Sequence, residues 1–187
     1  GYKTYWLSNQ PPIGMYETLV TKIALSASKP LFLNTEKFDA PTPYDEIILP
    51  ELDVVLEDES PKKIIFLHLM GTHAKYAYRY PQSFGVYTTG SSGSKQDKIN
   101  HYDNAILYND FVIRSVIEKA RQLTTPSSVL FFSDHGEEVY DEIDFAGHNP
   151  EGVFTKNMVE VPFLLWKNQR QVVSKSILNR KFILSDL

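Results

Sequence analysis

The chain alternates apolar runs of four to six residues with longer segments of helical period. Tyr2 to Ser8 is rich in aromatic and β-favouring residues and predicts a strand. Asn9 to Gly14 holds two prolines and a glycine and predicts a turn. From Met15 to Ser28, apolar side chains at Met15, Leu19, Ile23 and Ala27 share one helical face, and Pro30 ends the helix. Leu31-Phe32-Leu33 is a short strand candidate. Glu46 to Glu57 predicts a helix with Pro50 near its start, where a missing N–H costs nothing.

Lys62 to Leu69 is a near-continuous apolar run, the pattern of a central strand buried on both faces. It leads into Gly71-Thr72-His73. Gly90 to Ser94 is low in complexity and reads as a surface loop. Lys95 to Leu123 is the longest helix, with Ala105, Val112, Val116, Ala120 and Leu123 on one face. Its length suits a crossover between parallel strands. Val129 to Phe132 is the next strand and runs directly into Asp134-His135. Asn149 to Gly152 is a turn by composition, and Val161 to Trp166 is a further apolar strand, with Pro162 near its start or at an edge. The fold class is therefore α/β, with a mostly parallel central sheet flanked by helices.

Length and charge narrow the possibilities. The chain has 187 residues, enough for one domain with a real core, and a net charge of -4. That balance argues against a nucleic-acid partner, which requires a basic face. There is no cysteine, so disulfides and thiolate metal sites are excluded. No run of apolar residues is long enough to span a bilayer. The basic residues of the tail, Lys167, Arg170, Lys175, Arg180 and Lys181, read as a solvated surface. The chain begins at Gly1 and enters a strand almost at once, so it is expected to be a piece of a longer protein.

The candidate chemistry lies at two strand ends. Asp134-His135 places a hard oxygen beside an imidazole nitrogen, a pair that suits Zn²⁺ or Mn²⁺. Gly136 would let the backbone turn sharply. His73 follows the other long strand, and His148 lies beyond an acidic loop. If the strands are parallel, all three histidines fall at one edge of the sheet. Each also has a plainer reading, His73 as a surface residue and His148 as turn chemistry. His68 reads as a hydrogen-bonded core histidine and His101 as an exposed one. With Asp134, His135 and His148, the carboxylates of Glu137 and Glu138 form a cluster of groups that bind metals or move protons; their plainer reading is as carboxylates at a helix start. The cluster Tyr76 to Pro81 could stack on a sugar or hold a phosphate through Arg79; equally, it could be a packed aromatic loop around a buried arginine stem.

Phe132-Ser133-Asp134-His135-Gly136-Glu137 resembles the Ser-Asp-His-Gly-Glu signature of sulfatases and their relatives in the alkaline phosphatase superfamily. His68 to His73, Arg79-Tyr80-Pro81, Tyr102-Asp103-Asn104, Tyr108-Asn109-Asp110, Gly1 to Gln10 and Val161 to Trp166 are similar, in order and spacing, to bacterial phosphoethanolamine transferases. The stretch Ser133 to Asp141 looks closest to members that modify the core heptose of lipopolysaccharide. The resemblance covers nearly the whole chain.

It implies an alkaline phosphatase-like fold, with residues 1–187 as the C-terminal portion of one periplasmic, sulfatase-like catalytic domain. It implies a zinc enzyme at the periplasmic face of the bacterial inner membrane, anchored by helices upstream of this chain. Such an enzyme takes phosphoethanolamine from phosphatidylethanolamine onto a threonine and passes it to lipopolysaccharide, on core heptose or lipid A. By motif match, Asp134 and His135 are zinc ligands. His73 and His148 hold a second metal or the transferred group. The nucleophilic threonine and a glutamate ligand lie upstream, so this chain is expected to be inactive alone; Thr72 and Ser133 match neither. Ala74-Lys75 stands where many lipid A-modifying members have Gly-Pro. The alternatives are a sulfatase or phosphodiesterase-type hydrolase of the same superfamily, or a degenerate domain that only binds.

Overall fold

The computed structural model describes residues 1–13, 18–36, 40–90, 93–148, 152–169, 183 and 185. The expected features at Gly14, Met15, Ser91-Ser92, Asn149 to Glu151 and the tail cations Arg170, Lys175, Arg180 and Lys181 lie outside them. The first strand, β1 (Lys3–Ser8), is central to a three-stranded parallel sheet, with β2 (Lys29–Phe32) on one side and β3 (Lys63–His68) on the other. In register, Leu7 faces Leu31 on β2 and Leu67 on β3. Helix α1 (Thr18–Leu25) links β1 to β2, and α2 (Ile48–Glu57) precedes β3.

The pleat explains where the core sits. Tyr5 and Leu7 point to one face of β1, where they pack on Ile48, Leu52 and Val55 of α2. Those three α2 residues follow the helical period and form its buried stripe, whereas Val54, on the other side, is 64% exposed. Trp6 points to the opposite face and stacks on Phe66 with ring centroids 5.2 Å apart.

The longest element is α3 (Lys95–Arg121), whose start is fixed by a capping box. Ser94 Oγ accepts from the Asp97 N–H at 3.1 Å, and the Asp97 carboxylate accepts from the Ser94 N–H at 3.2 Å. Ala105, Tyr108 and Val112 are buried along it, as the period requires, and pack with Tyr80. Val116 reaches the core under β1, and Lys119 bonds Asp53 of α2 at 2.6 Å. Helix α3 delivers the chain to β4 (Ser128–Phe132). The two-residue strands β5 (Glu138–Val139) and β6 (Ala146–Gly147) form a hairpin, followed by the single-turn helix α4 (Lys156–Val159) and β7 (Phe163–Lys167).

Three expectations are corrected. First, β4 does not pair with β3 among the described residues; it pairs with β7, antiparallel, with Leu130 facing Leu165. The long helix therefore links strands of two sheets. Second, β3 is not buried on both faces. Ile65 and Leu67 pack on the core, while Ile64 and Phe66 are 40% and 45% exposed. Third, the expected apolar face of α1 points away from the sheet. Leu19 and Ile23 are exposed, and Ala24, with its small side chain, is the residue buried there.

The α2 stripe generates the first prediction. Ile48 is fully buried, so Ile48→Ala is expected to cost about 2–5 kcal/mol in denaturant unfolding. Val54→Ala, on the exposed side of the same helix, is expected to stay within about 0.5 kcal/mol.

Candidate active site

The loops after β3 and β4 meet. Glu137 joins them: Tyr76 Oη donates to Glu137 Oε1 at 2.7 Å, and His148 Nδ1 lies 3.0 Å from Glu137 Oε2. The side chain of Glu137 is 8% exposed, against 42% for that of His148. The carboxylate is thus held from within the protein and presents its second oxygen outward. His135 completes the group. Its ring lies 3.7 Å from that of His148, centroid to centroid, and its Nδ1 is 3.8 Å from Glu137 Oε2. His135 Nδ1 is also 2.8 Å from the carbonyl of Gly136, which favours the tautomer with its proton there and a free lone pair on Nε2.

His135, Glu137 and His148 each offer one ligand atom, all within 4.8 Å of one another. Two imidazole nitrogens and a carboxylate oxygen form a donor set suited to zinc, so these residues fit the metal that the sequence resemblance implies.

His135, Glu137 and His148, three of the five clustered polar groups of this stretch, are therefore brought together. Glu137 and Glu138 do not start a helix: Glu138 opens β5, and Glu137 stands just before it. Asp134 lies at the rim, its side chain 88% exposed and its Oδ1 3.9 Å from His135 Nε2. His73 stands outside the three-residue group but within its electrostatic reach. Burial lowers its pKa, as does the Arg79 cation, while Glu137 pulls it upward. Tyr76 is pushed up from its ordinary value by burial and by its bond to Glu137, so it stays a donor at neutral pH. Tyr102 stacks edge-on against Tyr76 at 5.1 Å and is raised by burial and by the same carboxylate.

The remaining candidates resolve into structural roles. His68 Nδ1 is 3.1 Å from Ser8 Oγ, as expected of a hydrogen-bonded histidine. His101 is not exposed; it lies half-buried with its Nδ1 2.7 Å from Tyr80 Oη. Arg79 is the buried arginine of a packed aromatic loop, 4% exposed. Glu138 is fully buried and accepts from the backbone N–H groups of Asp141 and Glu142 at 2.5 and 2.8 Å. Burial alone would raise its pKa, but these donors, with Thr155 and Asn157, outweigh it and hold the carboxyl below its ordinary value. Glu138 is thereby the scaffold for the hairpin that carries Gly147 and His148.

Gly136 serves a different purpose from the expected sharp turn. A Cβ at this position would lie 2.0 Å from the Asn157 carbonyl oxygen and 2.8 Å from that of Glu160. Its N–H bonds the Met158 carbonyl at 2.9 Å. The loop bearing His135 and Glu137 is pressed against the backbone of α4, and only glycine fits. The left-handed turn is made instead by Gly71, at φ +60°, two residues before His73.

The cluster thus lies in the segment after β4, anchored by Tyr76 from the loop after β3. The chain matches the sulfatase family over residues 1–181 and belongs to it. Among curated proteins it is 36% identical over 179 residues to phosphoethanolamine transferase EptC of Escherichia coli strain K12, covering 91% of this chain and 31% of that protein. It is 37% identical to phosphoethanolamine transferase CptA of Salmonella typhimurium, with the same coverage. The C-terminal periplasmic domain of the E. coli EptC protein, in complex with Zn, superposes with a TM-score of 0.79 at 38% identity, over 89% of this chain and 49% of that one. The periplasmic domain of EptC from Campylobacter jejuni gives 0.72 at 27% identity, over 90% and 53%. The fold is thus alkaline phosphatase-like, and the chain spans about a third of the curated relatives and half of the solved periplasmic domains.

The Gly136 contact generates a prediction. Gly136→Ala is expected to destabilise the protein by about 3 kcal/mol or more, since backbone must move to admit the methyl group. Thermal or denaturant unfolding checks it, with the equally small change Gly1→Ala, which meets nothing within 4 Å, as the neutral comparison.

Proposed function

We propose that this chain is the C-terminal portion of the catalytic domain of a zinc-dependent phosphoethanolamine transferase. The donor is phosphatidylethanolamine and the acceptor is lipopolysaccharide, at core heptose or lipid A. The observation that supports this best is the meeting of His135, Glu137 and His148 after β4, in a sequence 36% identical to a phosphoethanolamine transferase. The nucleophile, a threonine, comes from a segment preceding these residues, together with the membrane helices that hold the enzyme at the periplasmic face of the inner membrane. No helix among the described residues is long and apolar enough to cross a membrane.

In this reading, His135 and Asp134 hold the zinc ion, and His148 and His73 hold a second ion or the phosphoryl group, so that the His135–Glu137–His148 group spans both positions and Glu137 fixes His148. Bound zinc lowers the pKa of a hydroxyl nucleophile and offsets charge on the phosphoryl oxygens. The protein's own contribution is positional. Tyr76 holds one oxygen of Glu137 and leaves the other for His148. The His135 Nδ1 proton is engaged by the Gly136 carbonyl, so Nε2 is the nitrogen free to bind. Burial lowers the pKa of His73 and so favours its neutral form, the one able to ligate or to take a proton.

Two measurements test the reading. Zinc titration calorimetry is expected to show binding that His135→Ala and His148→Ala each weaken, with secondary structure retained; undiminished binding in both variants contradicts the assignment. Full-length protein in vesicles containing phosphatidylethanolamine is expected to modify added lipopolysaccharide, detected by mass spectrometry. Outer partners of metal ligands contribute about 10–100-fold, so loss of the ligand His135 is expected to lower the rate by more than about 100-fold. Release of free phosphoethanolamine without acceptor modification would instead identify a hydrolase of the same family.

A further inference from the structure

Two opposite charges, Asp45 and Arg79, are each only 4% exposed. Burying a charge is costly, and it persists only where specific partners compensate. Here the partners converge on one short loop. Asp45 Oδ1 accepts from the Met70 N–H at 2.8 Å, and Oδ2 accepts from the Gly71 N–H at 2.8 Å. Arg79 Nε donates to the carbonyl of His73 at 3.1 Å, and Nη2 to that of Ala74 at 3.2 Å. Each charge is anchored elsewhere as well. Asn9 Nδ2, at the end of β1, donates to Asp45 at 2.8 Å, and Arg79 Nη1 donates to Thr42 Oγ1 at 2.8 Å.

We propose that the Asp45–Arg79 pair is a positioning device for His73. It clamps the loop 70–74 by its backbone, N–H groups on one side and carbonyls on the other, and so fixes where the imidazole is presented. The loop needs such a clamp. It lies outside helix and strand, with left-handed residues at Gly71 (φ +60°) and, just beyond it, Lys75 (φ +63°), and its own backbone contributes a long turn bond from the His73 N–H to the Met70 carbonyl at 3.3 Å. A planar guanidinium suits the task because its fixed fork reaches three acceptors at once, whereas an ammonium group is a mobile point charge. The pair touches no reacting atom; it acts through His73. The inference rests on the proposed role of His73 in the site.

The test uses the full-length enzyme. Arg79→Lys keeps the charge and loses the fork. It is expected to lower kcat by about 10–100-fold with the KM for phosphatidylethanolamine within about twofold, the range for partners that orient a site residue. In a His73→Ala background, the same change is expected to cost less than about twofold more, because a residue acting through His73 has nothing left to position. Hydrogen exchange is expected to quicken in residues 70–75 of Arg79→Lys and to stay unchanged in β1 and α3. Should that variant fail to fold, Thr42→Val removes one Arg79 acceptor and carries the same comparison with a smaller effect. Multiplicative losses in the double variant, or wild-type exchange in the loop, overturn the proposal. If the wild type transfers nothing, the functional reading falls, and the exchange measurement alone decides the clamp.

Discussion

Glu137 is the point on which the arrangement depends. The two sheets share no backbone ladder among the described residues, so the ends of β3 and β4 cannot be registered by strand pairing. They are registered by side chains. The Tyr76 hydroxyl crosses from the loop after β3 to the Glu137 carboxylate after β4. A hydrogen bond to a charged acceptor is shorter and stronger than a neutral one, and low solvent exposure strengthens it further. Helix α3 supports this link, since its buried face contributes to the core under β1 and to the aromatic cluster around Tyr80.

Around that link, each loop is secured by a buried acid of its own. Asp45 accepts from two backbone donors after β3, and Glu138 accepts from two in the β5–β6 hairpin. Both acids point into the protein, whereas the imidazoles of His135 and His148 are partly open to solvent. The same residue types thus perform opposite tasks one position apart. Glu138 is enclosed and saturated by donors; Glu137 keeps one oxygen beside a half-exposed histidine. Gly136 separates them from the strand and allows the whole turn to lie against α4.

Much of this was legible in the sequence, because apolar period and turn residues report local structure directly. The strand ending at Ser8, the helix from Ile48, the long helix from Lys95 and the strand before Asp134 all fall where the pattern places them. The convergence of His135 and His148 was legible as well, from motif order. What escaped was set by tertiary contact. Glu137 stands in the sequence among five clustered polar groups, but its anchoring by Tyr76, sixty-one positions away, has no local signal. The close approach at Gly136 depends on carbonyls of Asn157 and Glu160, which leave no local signal. The half-exposed face of β3 was misread because an apolar run reports preference for burial, not what covers it. His101 looked like a surface residue because its partner, Tyr80, lies in a loop rather than on the same helix.

That uncovered face has a consequence for how the chain behaves in solution. The edge of β3 away from β1 carries no partner strand among the described residues, and Ile64 and Phe66 lie half-exposed beside it. Leu130 and Phe132 on β4 are similarly open. An unpaired apolar edge is a template for another extended segment. The open edge of β3 is therefore a place where backbone N–H and C=O groups, flanked by apolar side chains, can be paired by a further extended segment.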